Sequence, residues 1–114
     1  MANGVIIPTK ELTYTSSEQF IGYYGNNKMY RRVYEFGSVS ANSDTVVLND
    51  TTAFSGATII QLDGVGYQSD GSVVTLGNYY GASSNNALWY NNSRIFVRTA
   101  SAFTKGFFTV TYTK

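Results

Sequence analysis

Apolar and polar residues alternate along this chain in short runs with a period of two. From Phe107 to Thr113, the residues Phe108, Val110 and Tyr112 fall on one side, and Phe107, Thr109 and Thr111 on the other. Successive side chains leave a pleated backbone on opposite faces, so this pattern predicts a strand. Seven further short runs between turn clusters carry strand signals without so regular an alternation: Phe20–Tyr24, Lys28–Phe36, Asp44–Leu48, Ala57–Val65, Ser72–Leu76, Ala87–Tyr90 and Arg94–Thr99. Ala57–Val65 is the most apolar and predicts a central strand, bent at Gly64 and Gly66. Lys28–Phe36 is mixed on both faces, as suits a strand whose outer side is partly covered.

Turn chemistry separates the runs. Gly25-Asn26-Asn27, Asn49-Asp50-Thr51, Ser69-Asp70-Gly71, Asn91-Asn92 and Lys105-Gly106 supply residues that tolerate positive φ or bond their own backbone. No apolar set recurs at helical spacing over a useful window. Ser16-Ser17-Glu18-Gln19 predicts at most one helical turn, opened by a hydroxyl cap. Residues 1–9 read as a loose lead-in broken by Asn3-Gly4 and Pro8, and residues 10–114 as one domain. About eight short strands at this spacing predict an all-β fold, an antiparallel β-sandwich.

Composition narrows the chemistry. At 114 residues the chain is long enough to bury a core without a disulfide or a metal. It contains neither Cys nor His, which removes cysteine nucleophiles, histidine general bases and the usual zinc ligands. Eight basic and seven acidic residues leave a net charge of +1, too small and too balanced for a nucleic-acid partner. No run is apolar or long enough for a secretory leader or a membrane span, so no membrane insertion is expected. The acids are scattered, and no spacing forces two carboxylates together on one element, so no catalytic residue and no enzyme activity is expected. Asp63 and Asp70 flank glycines without EF-hand spacing and read as an ordinary hairpin, so neither metal nor cofactor is expected.

The aromatic residues are the informative excess. Eighteen rings, ten of them Tyr, exceed what one small sandwich holds inside. Tyr23-Tyr24, Tyr79-Tyr80 and Trp89-Tyr90 lie at or beside turns, and alternation lets only one ring of each pair enter the core. The others are expected at a surface or a subunit contact. The segment from Asn78 to Asn92 gathers Tyr79, Tyr80, Asn85, Asn86, Trp89, Tyr90, Asn91 and Asn92 around a Gly81-Ala82-Ser83-Ser84 loop. Rings that stack on sugar C–H faces, beside amides that donate and accept, make this segment a candidate glycan or receptor surface. The competing reading makes Trp89 the core plug and the Asn residues turn formers.

One stretch carries a resemblance. Tyr14, Glu18, Ile21, Gly22, Lys28, Tyr30 and Arg32 match a pattern of the form Tyr-Ser-x-x-Glu-x-x-Ile/Val-Gly-x-Trp-x-Asp-Gly-Lys-x-Tyr-x-Lys/Arg. Tyr24 stands near the Trp of that pattern, and Asn26-Asn27 replaces its Asp-Gly turn. The chain also closes on Gly106-Phe107-Phe108-Thr109-Val110-Thr111-Tyr112-Thr113-Lys114, similar to the final strand of the same proteins. The pattern resembles the C-terminal head domain of bacteriophage tail-fibre, baseplate and receptor-binding proteins. The resemblance implies a small β-sandwich, commonly a homotrimer, made in the host cytoplasm and displayed on the virion beside other virion proteins. It implies attachment to a host-surface glycan, with the motif residues structural. Members usually carry a long shaft that this chain lacks, so a short head fibre or decoration subunit using its rings for assembly is the alternative. An acid kept upstream of a Tyr-x-basic strand further predicts that Glu18 caps or pairs with Arg31 or Arg32.

Overall fold

The computed structural model describes residues 16–77, 86–91 and 93–114. All eight expected strands are present: β1 (Gln19–Tyr24), β2 (Asn27–Phe36), β3 (Thr45–Leu48), β4 (Thr58–Tyr67), β5 (Val73–Leu76), β6 (Ala87–Asn91), β7 (Arg94–Arg98) and β8 (Lys105–Thr113). They form two antiparallel sheets. Five strands run in the order β1-β2-β8-β4-β5, and three in the order β3-β7-β6. The lead-in and Tyr14 lie outside the described residues.

The final strand sits in the middle of the larger sheet. Its alternation is that of the sequence: Phe108, Val110 and Tyr112 are each fully buried. They meet Tyr34, Arg32 and Tyr30 of β2 on one side and Gly64, Leu62 and Ile59 of β4 on the other. Leu88 of β6 and Ile95 and Val97 of β7 join the same core from the smaller sheet. Burying one such side chain contributes about 1.5–3 kcal/mol, so this shared apolar face is the main force holding the two sheets. Connections add Val39, Phe54 and Phe103. Phe54 comes from a single 3-10 turn, Thr52–Phe54, which the alternation of the flanking strands does not announce. Val39 and Phe103 exchange both backbone hydrogen bonds at 3.0 Å, clipping two loops together.

Several local expectations are corrected. Ser16–Glu18 form no helical turn; the Glu18 side chain is engaged by Tyr112 and Lys114, and pairing with β2 begins at Gln19. β4 is an interior strand, as expected, lying between β8 and β5, with β8 the middle of the five. The irregularity of β4 falls between Ile59 and Gln61 rather than at the glycines. Gly64 and Gly66 serve close approach: a Cβ at Gly64 would press on Phe107 and Phe108, and one at Gly66 on the Phe103 ring. Lys105-Gly106 is no turn but the start of β8, with Gly106 opposite both Phe36 and Gly66. Asn91 belongs to β6 and pairs with Arg94. Tyr23 and Tyr24 do not divide between core and solvent. Both are more than 60% exposed at the end of the edge strand β1.

Candidate binding surface

The Asn78–Asn92 segment is only partly within the described residues, since Tyr79, Tyr80, Asn85 and Asn92 fall outside them. Asn86 has positive φ, and its side-chain Oδ1 accepts from the Thr99 hydroxyl at 3.2 Å. Its carbonyl accepts from the Gly77 amide at 3.2 Å, so Asn86 links the start of β6 to the end of β5 and to Thr99. Trp89 is half-buried and stacks on Phe96 across the β6–β7 pair, with centroids 5.3 Å apart and planes 11° apart. It does not belong to the core, so it is not the plug of the fold. Phe96 is the partner the sequence did not single out, and the Arg94 guanidinium lies 5.3 Å from its centroid. Tyr90 and Asn91 are exposed.

Three of the motif residues, Glu18, Tyr30 and Arg32, meet elsewhere, around Tyr112. That hydroxyl donates to Glu18 Oε1 at 2.6 Å and accepts from Arg32 Nε at 2.9 Å. Lys114 Nζ stands 2.8 Å from the same Glu18 oxygen, and Arg32 Nη1 donates to the Ser16 carbonyl at 2.7 Å. Glu18 and Arg32 therefore meet through Tyr112, whereas Arg31 Nη2 donates to Gln19 Oε1 at 3.2 Å. Tyr30 stacks on Tyr112 at 5.9 Å, and Lys114 Nζ lies 5.3 Å from the Tyr30 ring centroid. Ile21 lies at the bulge of β1, Gly22 follows it with φ 136°, and Lys28 faces Tyr23 across the hairpin. Glu18, Arg32 and Tyr112, remote from one another in sequence, thus meet at one hydroxyl.

Burial pulls the Glu18 carboxyl upward, but hydrogen bonds from Lys114 and Tyr112 and the attraction of Lys114 and Arg32 outweigh it and hold it below the usual range. A carboxyl lowered on folding stabilises the fold above its unfolded value and loses that contribution as pH falls through its folded value. The thermal midpoint of the protein is therefore expected to drop as pH falls below about 4.5. Glu18→Gln should flatten that part of the curve; unchanged acid sensitivity in the variant would place the titration elsewhere.

The outer face of the larger sheet carries a concavity of about 590 Å³. Strand register builds it row by row. Val33, Thr109 and Asp63 lie opposite one another across β2, β8 and β4, and Phe107, Val65 and Thr75 across β8, β4 and β5. Tyr67 closes one end, its ring edge-on to Phe107 at 5.8 Å. Lys105 Nζ lies 5.4 Å from the Tyr67 centroid, which leaves Phe107 as the ring offered to a ligand. Asp63 stands toward the other end, its Oδ2 accepting from Gln61 Nε2 at 2.8 Å. The volume is that of an ordinary small-ligand site, about 300–1,000 Å³. An apolar floor, one carboxylate and two hydroxyls suit a ligand with both C–H faces and hydroxyl groups.

None of these concavity residues belongs to the aromatic-loop segment. A usable signal was present in the alternation, which sends Phe107 and Thr109 away from Phe108. The shared face with Asp63 and Val65 depends on β8 pairing with β4, about 40 positions away in sequence. Asp63 and Asp70 do not cooperate: Asp70 Oδ1 accepts from the Ser72 amide inside the β4–β5 hairpin. Among the described residues no group of three or more acids gathers at a metal-binding distance. Compared with protein-family models, with curated proteins and with solved structures, the chain matches none.

Proposed function

We propose that this protein is a non-enzymatic attachment module of a bacteriophage virion, a β-sandwich acting as a homotrimer that holds a host-surface saccharide. The concavity on the outer face of the larger sheet carries the saccharide reading. Phe107 offers a ring for the C–H face of a sugar, Thr75 and Thr109 offer hydroxyls that donate and accept, and Asp63 accepts from sugar hydroxyls. Nothing in this step requires proton transfer or a nucleophile. The shared core of the two sheets supports the sandwich arrangement. The motif from Tyr14 to Arg32 supports the virion assignment. Contacts of this kind are weak singly, and three copies on one particle raise them by effective concentration.

Binding of labelled protein to a glycan array tests the reading. Phe107→Ala removes a half-buried outer-face ring, not a core residue, and is expected to weaken saccharide binding roughly two- to tenfold while the fold persists. An array on which the wild-type chain binds no saccharide would end the proposal. Phe20, Tyr23 and Tyr24, each more than 40% exposed on the edge strand β1, favour the second reading, a structural virion subunit that uses these rings in assembly. Under that reading the array is silent while the protein sediments as an oligomer.

A further inference from the structure

Charge on the outer face of the larger sheet bears on which saccharides the concavity accepts. Asp63 is the only charged side chain among its described lining residues. The Gln61 amide, two positions earlier on the same face of β4, donates to Asp63 Oδ2 at 2.8 Å. A second acid, Glu35, lies opposite Phe107 across the β2–β8 pair and is exposed. The bases of this face are placed differently. Lys105 Nζ sits over the Tyr67 ring at the opposite end, four residues along β4 from Asp63. Arg31 lies on β2, two strands away, and its Nη2 donates to Gln19. Among the described residues, the apolar floor at Phe107 and Val65 thus has Asp63 and Glu35 beside it and Lys105 only at the Tyr67 end, with no base opposite Asp63.

Resting on the saccharide reading above, we propose that Asp63 is the specificity-determining residue of the concavity, admitting neutral sugar units and rejecting those that carry a carboxylate. A neutral unit gives Asp63 hydroxyl donors, and hydrogen bonds to a charged acceptor are the stronger kind. A uronic acid in the same pose brings a second carboxylate within a few ångströms of the first. Partial screening by solvent still leaves a repulsion that lowers affinity roughly tenfold.

The test uses matched pairs that differ in one group: the methyl glycosides of glucose, galactose and mannose, and the corresponding methyl uronosides. Each is titrated into isotope-labelled wild-type protein and Asp63→Asn, and backbone amide shifts are followed. The asparagine keeps the size of the side chain and an oxygen that can accept from Gln61. The wild-type protein is expected to bind at least one glycoside, with shifts at Phe107, Val65 and Thr109, and to bind its uronoside roughly tenfold more weakly. In Asp63→Asn the two affinities should converge, mainly through a gain for the uronoside, and high salt should narrow the wild-type gap. Equal wild-type affinity for both members of a binding pair overturns the role of Asp63 and leaves the saccharide reading standing. A gap that persists in Asp63→Asn does the same. Shifts confined to Trp89, Phe96 and their neighbours overturn the concavity as the site. Absence of any shift with all six compounds, together with a silent glycan array, removes the saccharide reading itself.

Discussion

Replacing Gly106 with Val is expected to cost about 3 kcal/mol or more and to leave little folded protein at 37 °C. Gly106 opens the middle strand of the larger sheet and lies opposite Phe36 on one side and Gly66 on the other. A Cβ at this position would run into the Phe36 ring and stand 2.5 Å from the Val65 carbonyl oxygen. The ring is 8% exposed and packed in the core, and the carbonyl belongs to a paired strand, so neither can step aside cheaply. Even Gly106→Ala should lower the thermal midpoint clearly in a circular dichroism melt. Gly37 supplies the control, because a Cβ there meets nothing within 4 Å and its φ is unexceptional. Gly37→Ala is expected to melt within a few degrees of wild type. Similar melting of the two alanine variants would mean that Phe36 does not pack over β8 as described.

The second large effect is expected at Tyr112, and two substitutions divide its roles. Tyr112→Ala removes a fully buried ring that touches Tyr30 and Phe54, with centroids 5.9 Å and 5.2 Å away. Deleting a buried aromatic side chain costs about 3–5 kcal/mol. Tyr112→Phe keeps the ring and removes only the hydroxyl between Glu18 and Arg32. Both partners are charged and partly buried, so the loss is expected at about 1–3 kcal/mol. The hydroxyl itself titrates late: burial and the Glu18 carboxylate push it up to about 12. A phenol raised on folding stabilises the fold below its unfolded value near 10 and loses that contribution as pH rises toward 12. Wild-type protein should therefore weaken between about pH 10 and 12, and Tyr112→Phe should weaken less over the same interval. Chemical denaturation at a series of pH values measures both effects. A phenylalanine variant as stable as wild type would show that the Glu18–Tyr112–Arg32 chain contributes nothing net.

The strands were legible because their information is local. Alternation in Phe107–Thr113 states which residues share a face, and turn chemistry at Gly25-Asn26 and Ser69-Asp70-Gly71 states where the chain reverses. Each observed strand begins and ends within two residues of its expected range, and the sequence alone therefore settled an all-β fold with Phe108, Val110 and Tyr112 on one face. The aromatic excess also implied exposed rings, and Phe20, Tyr23, Tyr24 and Tyr90 are exposed. Tertiary structure decided the rest, because it depends on which strands become neighbours. A glycine that opens a turn and a glycine that admits a neighbouring ring look alike in sequence, and Lys105-Gly106 proved to be the second kind only once Phe36 lay opposite. Trp89 lies outside the core beside Phe96, because the adjacent Leu88 takes the core-facing side of β6. The concavity needed residues from four strands, Val33, Phe107, Asp63 and Thr75 among them, whose shared face is set by pairing across long sequence separations. A strand has two faces, and only the residues of the second sheet that join Phe108, Val110 and Tyr112 decide which face becomes the core and which stays outside it.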